Sequence, residues 1–276
     1  DRACFGIAGP LVDGKVNPPN LSWVVDPSSL ADTLNLPSVS LLNDLQAAAY
    51  GIFTLEPDEF LALNEGVTRR PGNKVLIAAG TGLGETILYD DGRNYYPLAS
   101  EGGHADFAAR DELEIELLRY LADQFGHVSY ERVVSGPGIV ALYRFLASRP
   151  GATERLDVRA AMEQSDPAAV ITRYALEGAD PICVETLDRV VRALAAQAGN
   201  FALTVFATGG VFIAGGIPPR ILPKLRHPSF ATAFSDKGRF ADDLERIPVH
   251  VVIDPHVGLR GAAAVAGGTQ PWSPQE

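Results

Sequence analysis

The sequence has few cysteines and few basic residues. Two cysteines, Cys4 and Cys183, occur in 276 residues, and they match no metal-ligand spacing. So few thiols in a chain of this length predict a reducing compartment. Lysine and arginine total 23 against 34 acidic residues, which gives a formal net charge of −11. We therefore expect neither nucleic acid nor an anionic membrane as a partner, because both require a basic surface.

A recognisable secretory signal is also lacking, and the charge-free stretch at 200–219 is interrupted by glycines. Two glycine pairs, Gly209-Gly210 and Gly215-Gly216, fall inside this stretch. They predict a helix, a glycine turn and a buried strand rather than a helix that crosses a membrane. The expected location is therefore the cytoplasm.

The remaining pattern mixes strands and helices. Short apolar runs predict buried strands at 4–10, 39–42, 75–79, 211–214 and 249–253, and a further strand at 85–89 ends in the hairpin turn Asp90-Asp91-Gly92. Apolar residues at helical spacing or small-residue runs predict helices at 45–50, 110–125, 138–147, 185–206 and 258–266. We expect an α/β fold with sites where strands stop, and a frayed tail at 270–276.

The dipeptide Asn43-Asp44 lies between a predicted strand and a predicted helix. A carboxylate at a strand end can accept a proton from a substrate hydroxyl. Asn and Asp are also preferred N-cap residues of helices, so capping is the alternative role.

A glycine-rich turn, Gly80-Thr81-Gly82-Leu83-Gly84, follows the strand predicted at 75–79. Glycines let backbone N–H groups approach phosphate oxygens closely, and Thr81 adds a hydroxyl donor. The turn is not a Walker A loop, because no Gly-Lys-Ser/Thr follows, and it is not a Rossmann fingerprint, because a strand is predicted next. A phosphate-binding turn and a plain tight hairpin both fit this pattern.

Glu101 and His104 flank the pair Gly102-Gly103. An acid and an imidazole can hydrogen-bond vicinal hydroxyls of a sugar, whose donors and acceptors need matched partners once water leaves. A structural salt link or a capping role is the alternative.

Glu131 precedes the turn Ser135-Gly136-Pro137-Gly138. Taken by itself, Glu131 is expected to form an ion pair with Arg132 or Arg144. The turn either lines a nucleotide pocket or starts a helix. Gly215-Gly216, after an apolar strand, could let an adenine or ribose lie on the backbone, or could be an ordinary turn.

These motifs belong to a longer series of segments that covers most of the chain. The series is Leu42-Asn43-Asp44, Ala79-Gly80-Thr81-Gly82-Leu83-Gly84, Ser100-Glu101-Gly102-Gly103-His104, Gly126-His127-Val128-Ser129-Tyr130-Glu131-Arg132 with Ser135-Gly136-Pro137-Gly138, Gly209-Gly210-Val211-Phe212-Ile213-Ala214-Gly215-Gly216-Ile217, and Phe234-Ser235-Asp236-Lys237-Gly238-Arg239-Phe240. In this order and spacing it resembles the bacterial-type glucokinases, which have the actin-like ATPase fold. The last two segments are the most specific.

The resemblance implies an enzyme that moves the γ-phosphoryl group of ATP, with Mg²⁺, onto the 6-hydroxyl of glucose. It implies that Asp44 is the catalytic base and contacts the sugar. The implied ligands of the other hydroxyls are Asn43, Glu101, His104 and Glu131. The turn Gly80-Thr81-Gly82-Leu83-Gly84 would face the phosphates of ATP, and Gly215-Gly216 would face the adenosine.

The resemblance also implies two α/β domains with a cleft between them that closes on the sugar. The smaller domain is expected to comprise residues 1–54 and 251–276, and the larger domain residues 55–250. A symmetric homodimer is the default expectation for the oligomeric state.

Two features of related families are missing from the sequence. An Asp-x-Gly-Gly-Thr phosphate loop begins the glucokinase pattern, and we expect it to precede residue 1 in a longer protein. The cysteine-rich zinc motif of the related repressor and kinase sugar family is also missing, which favours the glucokinase branch. Two alternatives stay open: a sugar-binding regulatory or degenerate kinase without turnover, and a kinase for another hexose such as mannose.

Overall fold

The computed structural model describes residues 2–18, 22–67 and 71–268. The strands of this part of the chain are β1 (Arg2–Ile7), β2 (Leu11–Val12), β3 (Lys15–Val16), β4 (Ser38–Asn43), β5 (Phe60–Asn64), β6 (Lys74–Ala79), β7 (Leu83–Asp90), β8 (Tyr95–Ser100), β9 (Gly210–Ala214) and β10 (Val249–Val252). The helices are α1 (Pro27–Leu34), α2 (Asp44–Gly51), α3 (Glu112–Phe125), α4 (Gly136–Ala147), α5 (Leu156–Gln164), α6 (Pro167–Leu176), α7 (Pro181–Val205), α8 (Leu222–Leu225), α9 (Pro228–Ser235), α10 (Ala241–Glu245) and α11 (Val257–Ala266). The predicted tail at 270–276 lies outside the described residues.

A small layer near the N-terminus combines two strands with helices α2 and α11. Strands β1 and β4 pair in parallel, from Arg2 opposite Ser38 to Ile7 opposite Asn43. Helices α2 and α11 pack so closely that a Cβ on Gly261 would lie 1.8 Å from the carbonyl oxygen of Ala47. A residue larger than glycine at position 261 would therefore push the two helices apart.

The strand predicted at 4–10 exists, but the prediction that it is buried is wrong. Strand β1 spans Arg2–Ile7, none of its residues is buried, and Phe5 is 37% exposed. Among the described residues, β1 pairs with β4 alone. A strand with one pairing partner leaves its other edge and part of its surface without a covering layer.

A six-stranded mixed sheet forms the larger layer, in the order β5-β10-β9-β6-β7-β8. Strand β9 runs parallel to β6 and β10, and the other neighbours are antiparallel. The predicted hairpin between β7 and β8 is confirmed, with Gly92 at φ 85° in its turn. A strand does follow the glycine-rich turn after β6, as predicted, so this turn is not a Rossmann turn.

Both faces of the six-stranded sheet are covered, which explains its continuous apolar strands. On one face, Ile77 of β6 packs in the core that includes Leu187 and Leu194 of α7. On the other face, Leu76 packs with Ala49 of α2 and with Val257 of α11. Neighbouring residues of β6 thus point to opposite layers, as the two-residue period of a strand requires. The α/β organisation expected from the sequence is confirmed.

The charge-free stretch at 200–219 contains the end of α7, a turn, strand β9 and a second turn at Gly215. The predicted division of this stretch is therefore confirmed. No helix in the described part of the chain is both long enough and apolar enough to span a membrane.

The predicted domain boundary before residue 251 falls inside β10, which belongs to the larger sheet. Helix α2, assigned to the smaller domain, packs against the larger sheet as well. The division into residues 1–54 with 251–276 and residues 55–250 stays a prediction.

Candidate active site

Asn43 and Asp44 lie where β4 ends and α2 begins, and their roles in the helix differ. The Oδ1 atom of Asn43 accepts a hydrogen bond of 2.9 Å from the N–H of Leu45, and the Oε1 atom of Gln46 accepts one of 3.2 Å from the N–H of Asn43. Asn43 is therefore the N-cap, in a complete capping box. Asp44 is the first helical residue, and its side chain is exposed.

The capping alternative thus applies to Asn43 and leaves the carboxylate of Asp44 facing solvent. That carboxylate accepts a hydrogen bond of 3.0 Å from the N–H of Leu45 and forms no ion pair within the described residues. The Nδ2 atom of Asn43 donates to the carbonyl oxygen of Gly9 at 3.2 Å, which ties the loop after β1 to the start of α2.

The glycine-rich turn between β6 and β7 contacts both the start of α2 and Glu131. A Cβ on Gly84 would lie 2.6 Å from Cδ2 of Leu45, and a Cβ on Gly82 would lie 2.5 Å from Oε2 of Glu131. The N–H of Gly136 donates to the carbonyl oxygen of Gly80 at 2.8 Å. The turn therefore contacts the start of α2, Glu131 and the start of α4.

Glu131 and His104 form the polar cluster beside this turn. The Oε2 atom of Glu131 accepts a hydrogen bond of 2.9 Å from the N–H of Leu83, and its Oε1 atom lies 4.0 Å from Nδ1 of His104. The side chain of Glu131 is 28% exposed and that of His104 is 59% exposed. Both side chains thus keep polar atoms available to a ligand.

The ion pair expected for Glu131 by itself is not found. Among the described residues, its carboxylate pairs with neither Arg132 nor Arg144. The Arg132 guanidinium instead lies over the ring of Phe125, at 4.2 Å from the ring centroid. The prediction fails because the carboxylate of Glu131 instead accepts a hydrogen bond from the N–H of Leu83 in the glycine-rich turn.

Glu101 and His104 lie at the two ends of a short 3₁₀ turn, and the glycines between them are pressed onto β7. A Cβ on Gly103 would lie 1.9 Å from the carbonyl oxygen of Leu83, and a Cβ on Gly102 would lie 2.1 Å from Oε2 of Glu85. Glu101 itself is exposed. The pair Gly102-Gly103 therefore allows the backbone of the 3₁₀ turn to lie directly against β7.

A buried carboxyl group under this turn was missed by the sequence analysis. Glu85 is 2% exposed, and its Oε1 atom accepts a hydrogen bond of 2.8 Å from Nε2 of Gln197. Burial raises the pKa of Glu85, and the hydrogen bond from Gln197 partly offsets the rise. Glu85 follows the glycine motif directly, but nothing in the local sequence indicates that it is buried.

The turn at Gly215-Gly216 lies against the end of β6. Gly215 has φ 96°, and a Cβ there would lie 2.3 Å from the carbonyl oxygen of Ala79, so glycine is required for both conformation and space. The N–H of Ile217 donates to the same carbonyl oxygen at 3.1 Å. A Cβ on Gly216 would meet no atom within 4 Å, so Gly216 faces open space.

This open space is a cavity of about 1000 Å³. Its walls include Gly80 and Thr81 of the glycine-rich turn, the Gly136-Pro137 start of α4, and Gly216. Polar and charged residues that the sequence analysis did not assign to a nucleotide pocket also line the cavity: Gln124, Arg132, Arg144, Asp166, Thr172, Arg173, Glu177 and Arg220. These residues are spread over separate segments with no motif in common, so only the fold shows that they share a cavity.

The structure thus places the predicted residues on two sides of one turn. Glu131 and His104 lie together beside β7, the start of α2 contacts the turn through Leu45, and the large cavity lies on the side of α4 and Gly216. No group of three or more His, Cys, Asp or Glu side chains that could hold a metal ion occurs in the described residues.

Comparison with known proteins shows the family of the chain. The sequence model of the Glucokinase family matches residues 1–269. A glucokinase from Trichormus variabilis is 44% identical over 279 aligned residues, which cover 96% of this chain and 82% of the relative. The family model spans all of the described residues.

Solved structures show the same fold. The crystal structure of a glucokinase from an Antarctic psychrotroph superposes with a TM-score of 0.82 at 32% identity, covering 96% of this chain and 80% of that one. A ROK-family glucokinase from Streptomyces griseus, solved with glucose and AMPPNP, superposes with a TM-score of 0.64 at 21% identity, covering 96% and 80%. The actin-like ATPase fold is thereby confirmed, and the chain belongs to the glucokinase family.

Proposed function

We propose that this protein phosphorylates glucose at its 6-hydroxyl with ATP, giving glucose 6-phosphate, the compound with which glycolysis begins. Membership of the glucokinase family supports this activity. The observation that carries the proposal is the two-sided site around the glycine-rich turn. A polar cluster suited to sugar hydroxyls lies on one side, and a large cavity with several arginines lies on the other.

On the sugar side, Glu131, His104 and Glu101 hold the hydroxyls of glucose. A carboxylate accepts hydrogen bonds only, whereas a neutral imidazole can accept at one nitrogen and donate at the other. A sugar hydroxyl is both donor and acceptor, so this set can satisfy it when water leaves. Asn43 adds an amide, although its oxygen already accepts from Leu45.

Asp44 acts as the general base for the 6-hydroxyl. Its carboxylate is exposed and forms no ion pair within the described residues, and Asn43 takes the capping role. Asp44 removes the proton as the 6-oxygen forms its bond to the γ-phosphorus, and the bond between that phosphorus and the β–γ bridging oxygen breaks to release ADP. Closure of the site over the sugar would exclude water, which otherwise competes for the phosphoryl group.

On the nucleotide side, the backbone of the glycine-rich turn and the hydroxyl of Thr81 bind the phosphates. The adenosine lies in the cavity, between the start of α4 and Gly216. Arg144, Arg173 and Arg220 supply positive potential around it. Mg²⁺ is commonly bound by substrate phosphates, waters and one or two carboxylates, so it would enter the site together with ATP. When bound, it offsets phosphate charge.

Two further properties are proposed with this function. The cytoplasm is the site of action, since ATP is a substrate and the chain contains two cysteines. A symmetric homodimer is the oligomeric state, because it is the commonest arrangement of soluble oligomers. Analytical ultracentrifugation of the full-length protein would test the second property.

A coupled assay for glucose 6-phosphate tests the activity. Full-length protein with Mg-ATP is expected to turn over glucose faster than mannose or galactose. Turnover of another hexose in preference to glucose would support the alternative substrate. Binding of glucose without turnover of any hexose would support the regulatory alternative and contradict the enzyme.

A further inference from the structure

A chain of buried and partly buried hydrogen bonds lies directly behind the proposed sugar site. It starts at Glu85, whose Oε2 atom is the atom that a Cβ on Gly102 would meet at 2.1 Å. It continues through Gln197 of α7, whose Nε2 atom donates to Oε1 of Glu85 at 2.8 Å. Glu85 and Gln197 are both buried, so this hydrogen bond is shielded from water.

The chain continues along α7 to a second segment of the sugar site. The Nδ2 atom of Asn200 donates to Oε1 of Gln197 at 3.3 Å and to the hydroxyl oxygen of Tyr130 at 3.0 Å. Tyr130 is 3% exposed, and its ring packs edge-on against Phe107 at a centroid distance of 5.4 Å. Tyr130 directly precedes Glu131, so the chain ends under the second sugar-binding segment.

Backbone hydrogen bonds join the same two segments. The N–H of Tyr130 donates to the carbonyl oxygen of Ala105 at 3.0 Å, and the N–H of Ala105 donates to the carbonyl oxygen of Gly102 at 3.0 Å. The turn that carries Glu101 and His104 is therefore connected to Glu131 both through the backbone and through the buried side chains.

The segment Phe234–Phe240, which the sequence analysis singled out without assigning a role, packs against α7 at this point. A Cβ on Gly199 would lie 2.3 Å from the carbonyl oxygen of Phe234 and 3.0 Å from Cε of Lys237. Gly199 lies between Gln197 and Asn200 in the helix. The close contact therefore holds the part of α7 that carries the two amides.

We propose that Gln197, Asn200 and Tyr130 are positioning residues that hold the Glu101–His104 turn and Glu131 in the relative geometry required to bind glucose. Gln197 and Asn200 act on the Glu101–His104 turn through Glu85 and on Glu131 through Tyr130. None of the three positioning residues touches the sugar. Buried amide networks whose members are all hydrogen-bonded restrict side chains to one arrangement. Binding of a sugar with several hydroxyls depends on such an arrangement, because each misplaced partner leaves a hydroxyl unsatisfied. The inference rests on the sugar site proposed above.

Kinetics of Tyr130→Phe in the full-length protein test this role. The substitution removes one hydroxyl group and keeps the ring that packs on Phe107. We expect the KM for glucose to rise about fivefold or more, as for the loss of one hydrogen bond, while the KM for ATP stays the same. Tyr143→Phe is the matched control, because Tyr143 is equally buried and donates a single hydrogen bond, to Glu154 at 3.3 Å.

A double-mutant cycle distinguishes a connected network from separate stabilising contacts. Gln197→Met breaks the chain in its middle. In the double variant, the factor by which the KM for glucose rises should therefore be smaller than the product of the factors measured for Gln197→Met and Tyr130→Phe alone. Multiplicative effects would overturn the proposal. The proposal would also be overturned if Tyr130→Phe changed the KM for glucose no more than Tyr143→Phe does, while both variants melted at a lower temperature than the wild type.

Glu131→Gln, measured in parallel, separates this proposal from the sugar site itself. If Glu131→Gln raises the KM for glucose and Tyr130→Phe does not, the positioning role is wrong and the sugar site stands. If Glu131→Gln leaves the KM for glucose unchanged, the sugar site is misplaced and the positioning role is overturned with it.

Discussion

On the proposed sugar side of the glycine-rich turn, Nδ1 of His104 lies 4.0 Å from Oε1 of Glu131, whereas on the proposed nucleotide side charged side chains are spread around a cavity of about 1000 Å³. Glu131 is held by a backbone N–H, and Glu101 and His104 stand on glycines that touch β7. Within the described residues, the side chains of Arg144 and Arg220 form no hydrogen bond or ion pair. Recognition of hydroxyls depends on geometry, while attraction of phosphates depends mainly on local charge, and the two sides reflect that difference.

The largest effect is expected at Asp44, on the sugar side. Asp44→Asn keeps the shape and one acceptor but removes the charge and most of the basicity. We expect kcat to fall roughly 10²-fold or more, within the range for positioned proton transfer, while glucose affinity changes much less. Because Asn43 and not Asp44 is the N-cap, the melting temperature should move by no more than about 2 °C.

Asp32→Asn is the control for this variant, since Asp32 is an exposed aspartate of α1. It should keep the wild-type kcat. A fully active Asp44→Asn enzyme would remove the general base from the mechanism. Steady-state kinetics, glucose calorimetry and thermal melting on the same preparations provide the comparison.

The next largest effects are expected at Glu101 and His104. Glu101→Gln and His104→Ala should each raise the KM for glucose and lower kcat, because lost orientation of the sugar also affects the chemical step. The two changes together should lower kcat/KM about tenfold or more in each variant. The KM for ATP should stay unchanged. Wild-type kinetics in both variants would show that the two residues are structural and that the sugar pocket lies elsewhere.

Two glycine substitutions should affect the two substrates separately. A methyl group at position 82 would displace the carboxylate of Glu131, whereas one at position 216 would meet no protein atom and enter the cavity. Gly82→Ala should therefore raise the KM for glucose severalfold and Gly216→Ala the KM for ATP. An equal effect of either variant on both substrates would contradict the division of the site.

A smaller effect is expected at Arg144, on the nucleotide side. Arg144 lines the cavity but is exposed, so solvent screens its charge. Arg144→Met should raise the KM for ATP about threefold, with less effect at high salt, and should leave the KM for glucose unchanged. Arg149→Met is the control, because Arg149 follows the same helix and pairs with Glu116 outside the cavity. Equal changes in both variants would argue against a role for Arg144.

The smallest effect concerns the buried acid Glu85. Its pKa is raised in the folded state by burial, so its folded form favours the protonated carboxyl, and the protein loses stability as pH rises from the unfolded pKa to the folded pKa. Glu85→Gln should therefore raise the melting temperature by about 2 °C at pH 8, with a smaller gain near pH 5. A gain independent of pH would show that ionisation of Glu85 does not contribute.

Much of the fold could be predicted from local sequence, because period and turn chemistry are local properties. The strands around the glycine-rich turn, the hairpin at Gly92 and the long helix α7 all follow from apolar spacing and glycine positions. The exposure of β1 could not be predicted in the same way. An apolar run indicates a strand, but whether another layer covers that strand depends on its neighbours in space.

In the candidate site, too, local features could be predicted from the sequence and contacts between distant segments could not. The sequence by itself determined the residue types and their order, from Asn43-Asp44 to Gly215-Gly216, because motifs of a few residues specify turns, caps and potential ligands. Only the tertiary structure decided that Asn43 caps α2 while Asp44 stays exposed, and that Glu131 faces Leu83 rather than an arginine. Only the tertiary structure collected the arginines of the cavity and the buried chain from Glu85 to Tyr130. Contacts between residues far apart in the chain depend on how the layers pack, and no local pattern encodes that packing.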